Sequence, residues 1–147
     1  MGPKIDYVAV KGANPYTGQE AIYILAEARL SAYTKELSRK DAEGNLIAPE
    51  VLAHYKGNEL VGVTYEQLFP WVDPVDVVEG KVVNRKQDAF RVIPGDYVTT
   101  EDGTGIVHIA PTFGADDKKV AEAAGIPSLY MINKNGETRP MVDFSGK

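Results

Sequence analysis

Residues 4–12, KIDYVAVKG, alternate apolar and polar positions, as a half-buried strand does. The following NPYTGQE has the features of a helix start. Thr17 can cap, and Glu20, three residues on, can complete a capping box. In QEAIYILAEARLSAYTKEL the residues Ala21, Leu25, Ala28 and Ala32 share one helical face, which predicts a helix over about 18–37. SRKDAEGNLIAPE is polar, contains Gly44 and Pro49, and reads as a loop.

From NELVGVTYEQLF onward the pattern turns to short strands. VDVVEGKVVNR and AFRVIPGDYVTT are rich in valine and aromatics and are broken by Pro74, Gly80, Pro94 and Gly95. GIVHIA continues as a strand. ADDKKVAEAAGIP then predicts a short helix with Asp116 and Asp117 in its first turn, Gly125 at its end and Pro127 beyond. SLYMINKNGETRPMVDF has the pattern of a hairpin around Asn135-Gly136. No internal repeat, low-complexity tract or interdomain linker interrupts the chain. The expected fold is α+β and strand-rich: a curled or closed, β-barrel-like core with peripheral helices. At 147 residues it suits a single domain, 1–147, with a real core.

Composition narrows the function classes. Apolar residues make up 44% and charged residues 25%, ordinary values for a soluble globular protein. No apolar run approaches the roughly 18 residues of a membrane span, and no basic-then-apolar signal pattern opens the chain. The lack of cysteine excludes disulfides and thiol nucleophiles and argues against structural zinc. A cytoplasmic location is expected. The net charge is −5, and the densest basic cluster, Arg39-Lys40, is followed by Asp41 and Glu43. Binding nucleic acid mainly through its phosphates would call for a basic face, and none is visible.

The densest candidate chemistry lies in GTGIVHIAPTFGADD, residues 103–117. Strand alternation would put Ile106, His108 and Ala110 on one face. His108 then has two readings: a histidine satisfied by hydrogen bonds near the core, or a polar group aimed into a pocket. Asp116 and Asp117 likewise have a plain reading, since carboxylates in a helix's first turn are favoured by the helix dipole. Asp96, Asp102 and Asp143 read as turn residues or solvated charges. The two histidines, His54 and His108, are far apart and lack the spacing of a metal site. No Gly-x-Ser-x-Gly elbow exists, and the GTG at 103–105 lacks the further glycine and lysine of a phosphate loop. The residues alone give an α+β domain with a candidate pocket around His108.

EDGTGIVHIAPTFGADD closely resembles the signature of the editing domain inserted into the isoleucyl-tRNA synthetase family. YKGNELVGVTYEQLFPW resembles another segment of that domain, and FRVIPGDYVTTEDGTG resembles the strand leading into the signature. Three segments in the right order carry the resemblance over nearly the whole chain. His108 followed by IAPTFG matches the isoleucyl pattern, where the valyl relatives typically have lysine and the leucyl relatives methionine. Phe113-Gly114-x-Asp116-Asp117 looks closer to the branch containing eukaryotic enzymes.

The resemblance implies post-transfer editing, the hydrolysis of the ester joining valine to isoleucine tRNA. One methylene is worth only about 1–3 kcal/mol in an apolar pocket, a limit for which this family is itself the standard illustration. A second, smaller pocket reverses the selection. By the same resemblance Asp117 binds the substrate's α-ammonium group, while His108 lines the side-chain pocket and excludes isoleucine. Thr104 and Gly105 shape the adjoining turn. These four are the expected site: Asp117 and His108 catalytic, and all four substrate-binding. No metal or cofactor is implied. The implied partners are the 3′ end of mischarged isoleucine tRNA and the remainder of the synthetase, with no membrane. The family's threonine-rich segment precedes the strand matching KIDYVAV, so the chain reads as a domain truncated on its N-terminal side. The alternatives of the same fold are a non-catalytic binding module and a free-standing trans-editing hydrolase.

Overall fold

In a computed structural model the chain divides into two units, Met1–Val61 with Pro94–Val107, and Gly62–Ile93 with the described residues from His108 on. Residues 1–68, 70–132, 135 and 137–140 are described.

The first unit contains, in chain order, β1 (Asp6–Ala13), β2 (Glu20–Ala26), a 3-10 turn at Glu27–Arg29, α1 (Leu30–Leu37), β3 (Arg39–Lys40), β4 (Leu46–Ile47), β5 (Glu50–Lys56) and the single turn α2 (Gly57–Leu60). β1 is the middle strand of an antiparallel sheet in the order β2-β1-β5, and β3 pairs with β4. Instead of the expected half-burial, Tyr7, Val8, Ala9 and Val10 are all buried. One face of β1 is covered by α1. Val8, Val10, Leu25 and Leu37 form a cluster against which Tyr23, Leu30 and Tyr33 pack, and each fully buried valine is worth about 1.5–3 kcal/mol. Gly12 lets the end of the helix sit close. A Cβ there would lie 2.7 Å from the carbonyl oxygen of Leu37.

The helix expected over 18–37 is corrected to strand, 3-10 turn and short helix. In AIYILA a period of two prevails over the alanine stripe. Tyr23 and Leu25 turn toward the core, while Ile22 and Ile24 stay 64% and 42% exposed. Isoleucine and tyrosine favour the pleated surface, and β1 supplies a full antiparallel partner from Ala13↔Glu20 to Tyr7↔Ala26. Thr17 and Glu20 form no capping box. The Oδ1 of Asn14 accepts from the amides of Tyr16 and Thr17, the Thr17 hydroxyl accepts from the Gln19 amide, and Gly18 takes φ +71° to close the hairpin. Glu20 instead pairs with Lys11 and Arg39.

The second unit contains the hairpin β6 (Val75–Val78) and β7 (Lys81–Asn84), the helix α3 (Ala115–Ala123) and the pair β8 (Tyr130–Ile132) and β9 (Thr138–Pro140). Glu79 and Gly80, at φ 51° and 76°, make the tight β6–β7 turn. Val77, Val78, Val82 and Val83 are exposed on this ribbon. Its base is tied by Asp73, which accepts from Asn84 at 2.9 Å and pairs with Lys86 at 3.0 Å. Residues 62–65 run beside 90–92 through the amides of Gly62, Tyr65 and Val92, with one bridge at Thr64↔Arg91. Gly125, at φ +70°, ends α3 as expected. The β8–β9 pairing also matches the expected hairpin. Gly136 of its turn lies outside the described residues, as do Asp143 and Phe69.

The architecture is α+β and strand-rich, but among the described residues the sheets are open, one of three strands and three of two. Among the described residues no closed barrel forms, and no helix is long and apolar enough to cross a membrane. The strand expected at GIVHIA is corrected as well. Residues 106–110 belong to no strand, because the polar backbone groups at both ends of the run are taken by side chains: the Gly105 carbonyl by Tyr7 and the Ala110 amide by Asp117.

Buried Tyr7 accepts from the Gly2 amide at 3.0 Å and donates to the Gly105 carbonyl at 2.6 Å. Tyr7→Phe leaves both groups unpaired and is expected to cost about 1–3 kcal/mol in chemical denaturation at neutral pH. Burial holds the phenol above its ordinary pKa. Its contribution is therefore fully present below the unfolded-state value, about 10, and fades as pH rises through the folded-state value. The wild type should lose more stability than Tyr7→Phe between neutral and strongly alkaline pH; equal losses would contradict this role.

Candidate functional site

The residues singled out by the sequence fall in both units. Thr104 and Gly105 belong to the first, His108 and Asp117 to the second.

In the first unit the turn at 103–105 is bound to the end of β2. The Ala26 amide donates to the Thr104 carbonyl at 2.8 Å, and Arg29 donates to the carbonyls of Gly103 and Glu101 at 2.9 and 3.2 Å. Gly103 and Gly105 take φ +57° and +74°. At Gly105 a Cβ would also meet the Ala26 side chain at 2.5 Å, so both conformation and space select glycine. Thr104 and Gly105 hold the turn through their carbonyls.

In the second unit His108 is exposed and outside any strand. That removes the core-histidine reading, and with the strand gone the face shared by Ile106, His108 and Ala110 goes too. Ala110 to Gly114 then forms a tight turn into α3. The amides of Phe113 and Gly114 donate to the Ala110 carbonyl at 3.0 and 3.2 Å, and the Lys118 amide donates to the Gly114 carbonyl at 2.8 Å. The Thr112 hydroxyl fastens this turn to Leu129, accepting from its amide at 2.9 Å and donating to its carbonyl at 3.0 Å. Arg91 donates to the Ala124 carbonyl at the other end of α3.

The two aspartates separate clearly. Asp116 is 96% exposed and faces Lys119 at 3.3 Å, a solvated pair of the first helical turn. Asp117 is half-buried, and its Oδ2 accepts from the Ala110 amide at 2.9 Å. Among the described residues nothing donates to Oδ1. A carboxylate held at a helix N-terminus with one oxygen committed is suited to receive a cation on the other. The bond from Ala110 to Asp117 was not legible from spacing, although a seven-residue return into a helix start is the signal that could have found it.

A separate open groove of about 530 Å³ lies in the first unit, lined by Ala13, Asn14, Pro15, Lys35, Arg39 and Lys40 among others. None of the four expected site residues lines it. Its Arg39 is committed to Glu20.

Isoleucine–tRNA ligases match the whole chain. The ligase of Bacteroides thetaiotaomicron is 59% identical over 100% of the chain, that of Bacteroides fragilis 57% over 100%, and that of Porphyromonas gingivalis 46% over 100%. The chain belongs to the isoleucine–tRNA ligase family. It spans 12–13% of the length of these relatives. All three are bacterial, and they share the family with a chain that carries the Phe113-Gly114 form. No family model matches the chain.

The contrast between the aspartates is measurable. Asp117→Ala removes an acceptor for the Ala110 amide and a first-turn charge, and should cost about 1–2 kcal/mol in urea denaturation. Asp116→Ala should stay within about 0.5 kcal/mol of wild type. Equal effects would mean that the Ala110 bond contributes nothing.

Proposed function

We propose that residues 1–147 form one editing domain of an isoleucine–tRNA ligase, which hydrolyses valine from mischarged isoleucine tRNA after transfer. The observation that carries the reading is the Asp117 carboxylate, anchored through Oδ2 to the Ala110 amide at 2.9 Å with Oδ1 turned to no donor among the described residues. Membership in the ligase family supports the same reading.

In this mechanism Asp117 binds the α-ammonium group of the aminoacyl ester. Exposed His108 lines the pocket for the amino-acid side chain and excludes isoleucine by bulk. Thr104 and Gly105 keep the role of shaping their own turn in the first unit. Water attacks the ester carbonyl, the bond to the terminal ribose breaks, and the amino acid leaves as the free acid. Orientation of ester and water contributes most of the rate, without a strong side-chain base. The charge of −5 makes the remainder of the ligase the chief holder of tRNA. A barrel-like core belongs to the same proposal, with the outer strands β2 and β5 as the places where further strands would pair.

Single-turnover deacylation of valyl- and isoleucyl-tRNA, both on isoleucine tRNA, tests the reading with this chain in large excess. Valine should be released faster than isoleucine. Asp117→Asn keeps an acceptor for Ala110 but loses the charge, and should slow valine release roughly 10- to 100-fold. His108→Ala should open the pocket to isoleucine. Unchanged hydrolysis by Asp117→Asn would remove the ammonium anchor, and valine binding without hydrolysis would favour a binding module.

A further inference from the structure

Gly114 lies at the N-terminus of α3 with φ −132° and ψ 131°, an extended conformation open to any residue. Its lack of a side chain therefore answers a need for space. A Cβ at this position would lie 3.2 Å from Cγ, 3.2 Å from Oδ2 and 3.3 Å from Cβ of Asp117. The three nearest atoms all belong to that one side chain. Turning the side chain about its Cα–Cβ bond would relieve the first two contacts, at the expense of the Ala110 hydrogen bond, but the approach to the Asp117 Cβ would remain. Only a shift of the turn or of the first helical turn relieves it. Oδ2 is also the atom that accepts from the Ala110 amide, so any such shift loosens the bond that fixes the carboxylate.

We propose that Gly114 is a positioning residue for Asp117: it leaves the space in which the carboxylate is held on the Ala110 amide, with Oδ1 directed at the substrate's ammonium group. The inference rests on the editing function proposed above and deepens it. The other groups of the turn cannot take over the task. Thr112 is committed to Leu129 through both of its hydrogen bonds, and the Ala110 carbonyl is committed to the amides of Phe113 and Gly114.

The test uses the full-length ligase that carries this stretch, with Gly114→Ala, Asp117→Asn and the double variant, numbered as here. Gly114→Ala should slow single-turnover release of valine from isoleucine tRNA about tenfold, the scale expected for a displacement of a few tenths of an ångström at a positioned group. Aminoacylation with isoleucine should be unchanged, and hydrogen exchange at the Ala110 amide should quicken. In the Asp117→Asn background Gly114→Ala should add less than about twofold, since coupled groups do not act independently.

Full-rate release by Gly114→Ala overturns the proposal, as does an equal loss in both backgrounds or a parallel fall in aminoacylation. If Asp117→Asn itself releases valine at the wild-type rate, the editing role of Asp117 fails. Exchange at Ala110 in Gly114→Ala then still decides whether the glycine positions the carboxylate.

Discussion

Burial of β1 on both faces is the constraint on which the first unit depends. A strand with Tyr7, Val8, Ala9 and Val10 all buried has to be central, has to be paired along both edges, and has to be covered. Pairing draws AIYILA into β2 and away from the helix its alanines suggest. Covering draws α1 across Val8 and Val10, and requires Gly12 beneath the Leu37 carbonyl. Tyr7 extends the same constraint outward, because a buried phenol needs partners. It finds them in Gly2 and in Gly105, ninety-eight residues away in sequence. A turn that looks like surface punctuation is thereby fixed to the core.

The sequence carried the elements whose local signals agree with one another. β1 alternates, the β6–β7 ribbon has valines on either side of a Glu79-Gly80 turn, and α3 has acidic residues at its start with Gly125 at its end. It failed where two periods coexist. Residues 20–26 satisfy both the helical spacing of Ala21 and Leu25 and a two-residue alternation, and only the neighbouring strand decides between them. GIVHIA failed for another reason. Its β-branched residues favour a strand, but the backbone groups at its two ends are claimed by side chains that become neighbours only after folding. The same limit applied to the candidate site. The resemblance pointed to Asp117 and His108, yet nothing in the spacing told Asp117 from Asp116. The Ala110 amide makes that distinction.

Asp117 thus combines two tasks that are usually given to different residues. As an acceptor for Ala110 it closes the turn into α3. As the proposed anchor it would meet the substrate with its other oxygen. A side chain held by its own loop loses little freedom on binding, which is how a small exposed turn can orient a ligand without a deep cavity. Thr112, bonded twice to Leu129, keeps that turn from shifting as a whole.

The β6–β7 ribbon also governs how the protein behaves as a solute. Val77, Val78, Val82 and Val83 are exposed on a strand pair whose outer edges carry no further strand among the described residues. Ribbons of this kind pair with their own copies unless something repels them. Repulsion here comes from a net charge of only −5, and it weakens with added acid or with salt that shortens the screening length to about 8 Å. The ribbon is therefore the place in the second unit where intact copies of this chain would pair edge to edge once acid or salt weakens that repulsion.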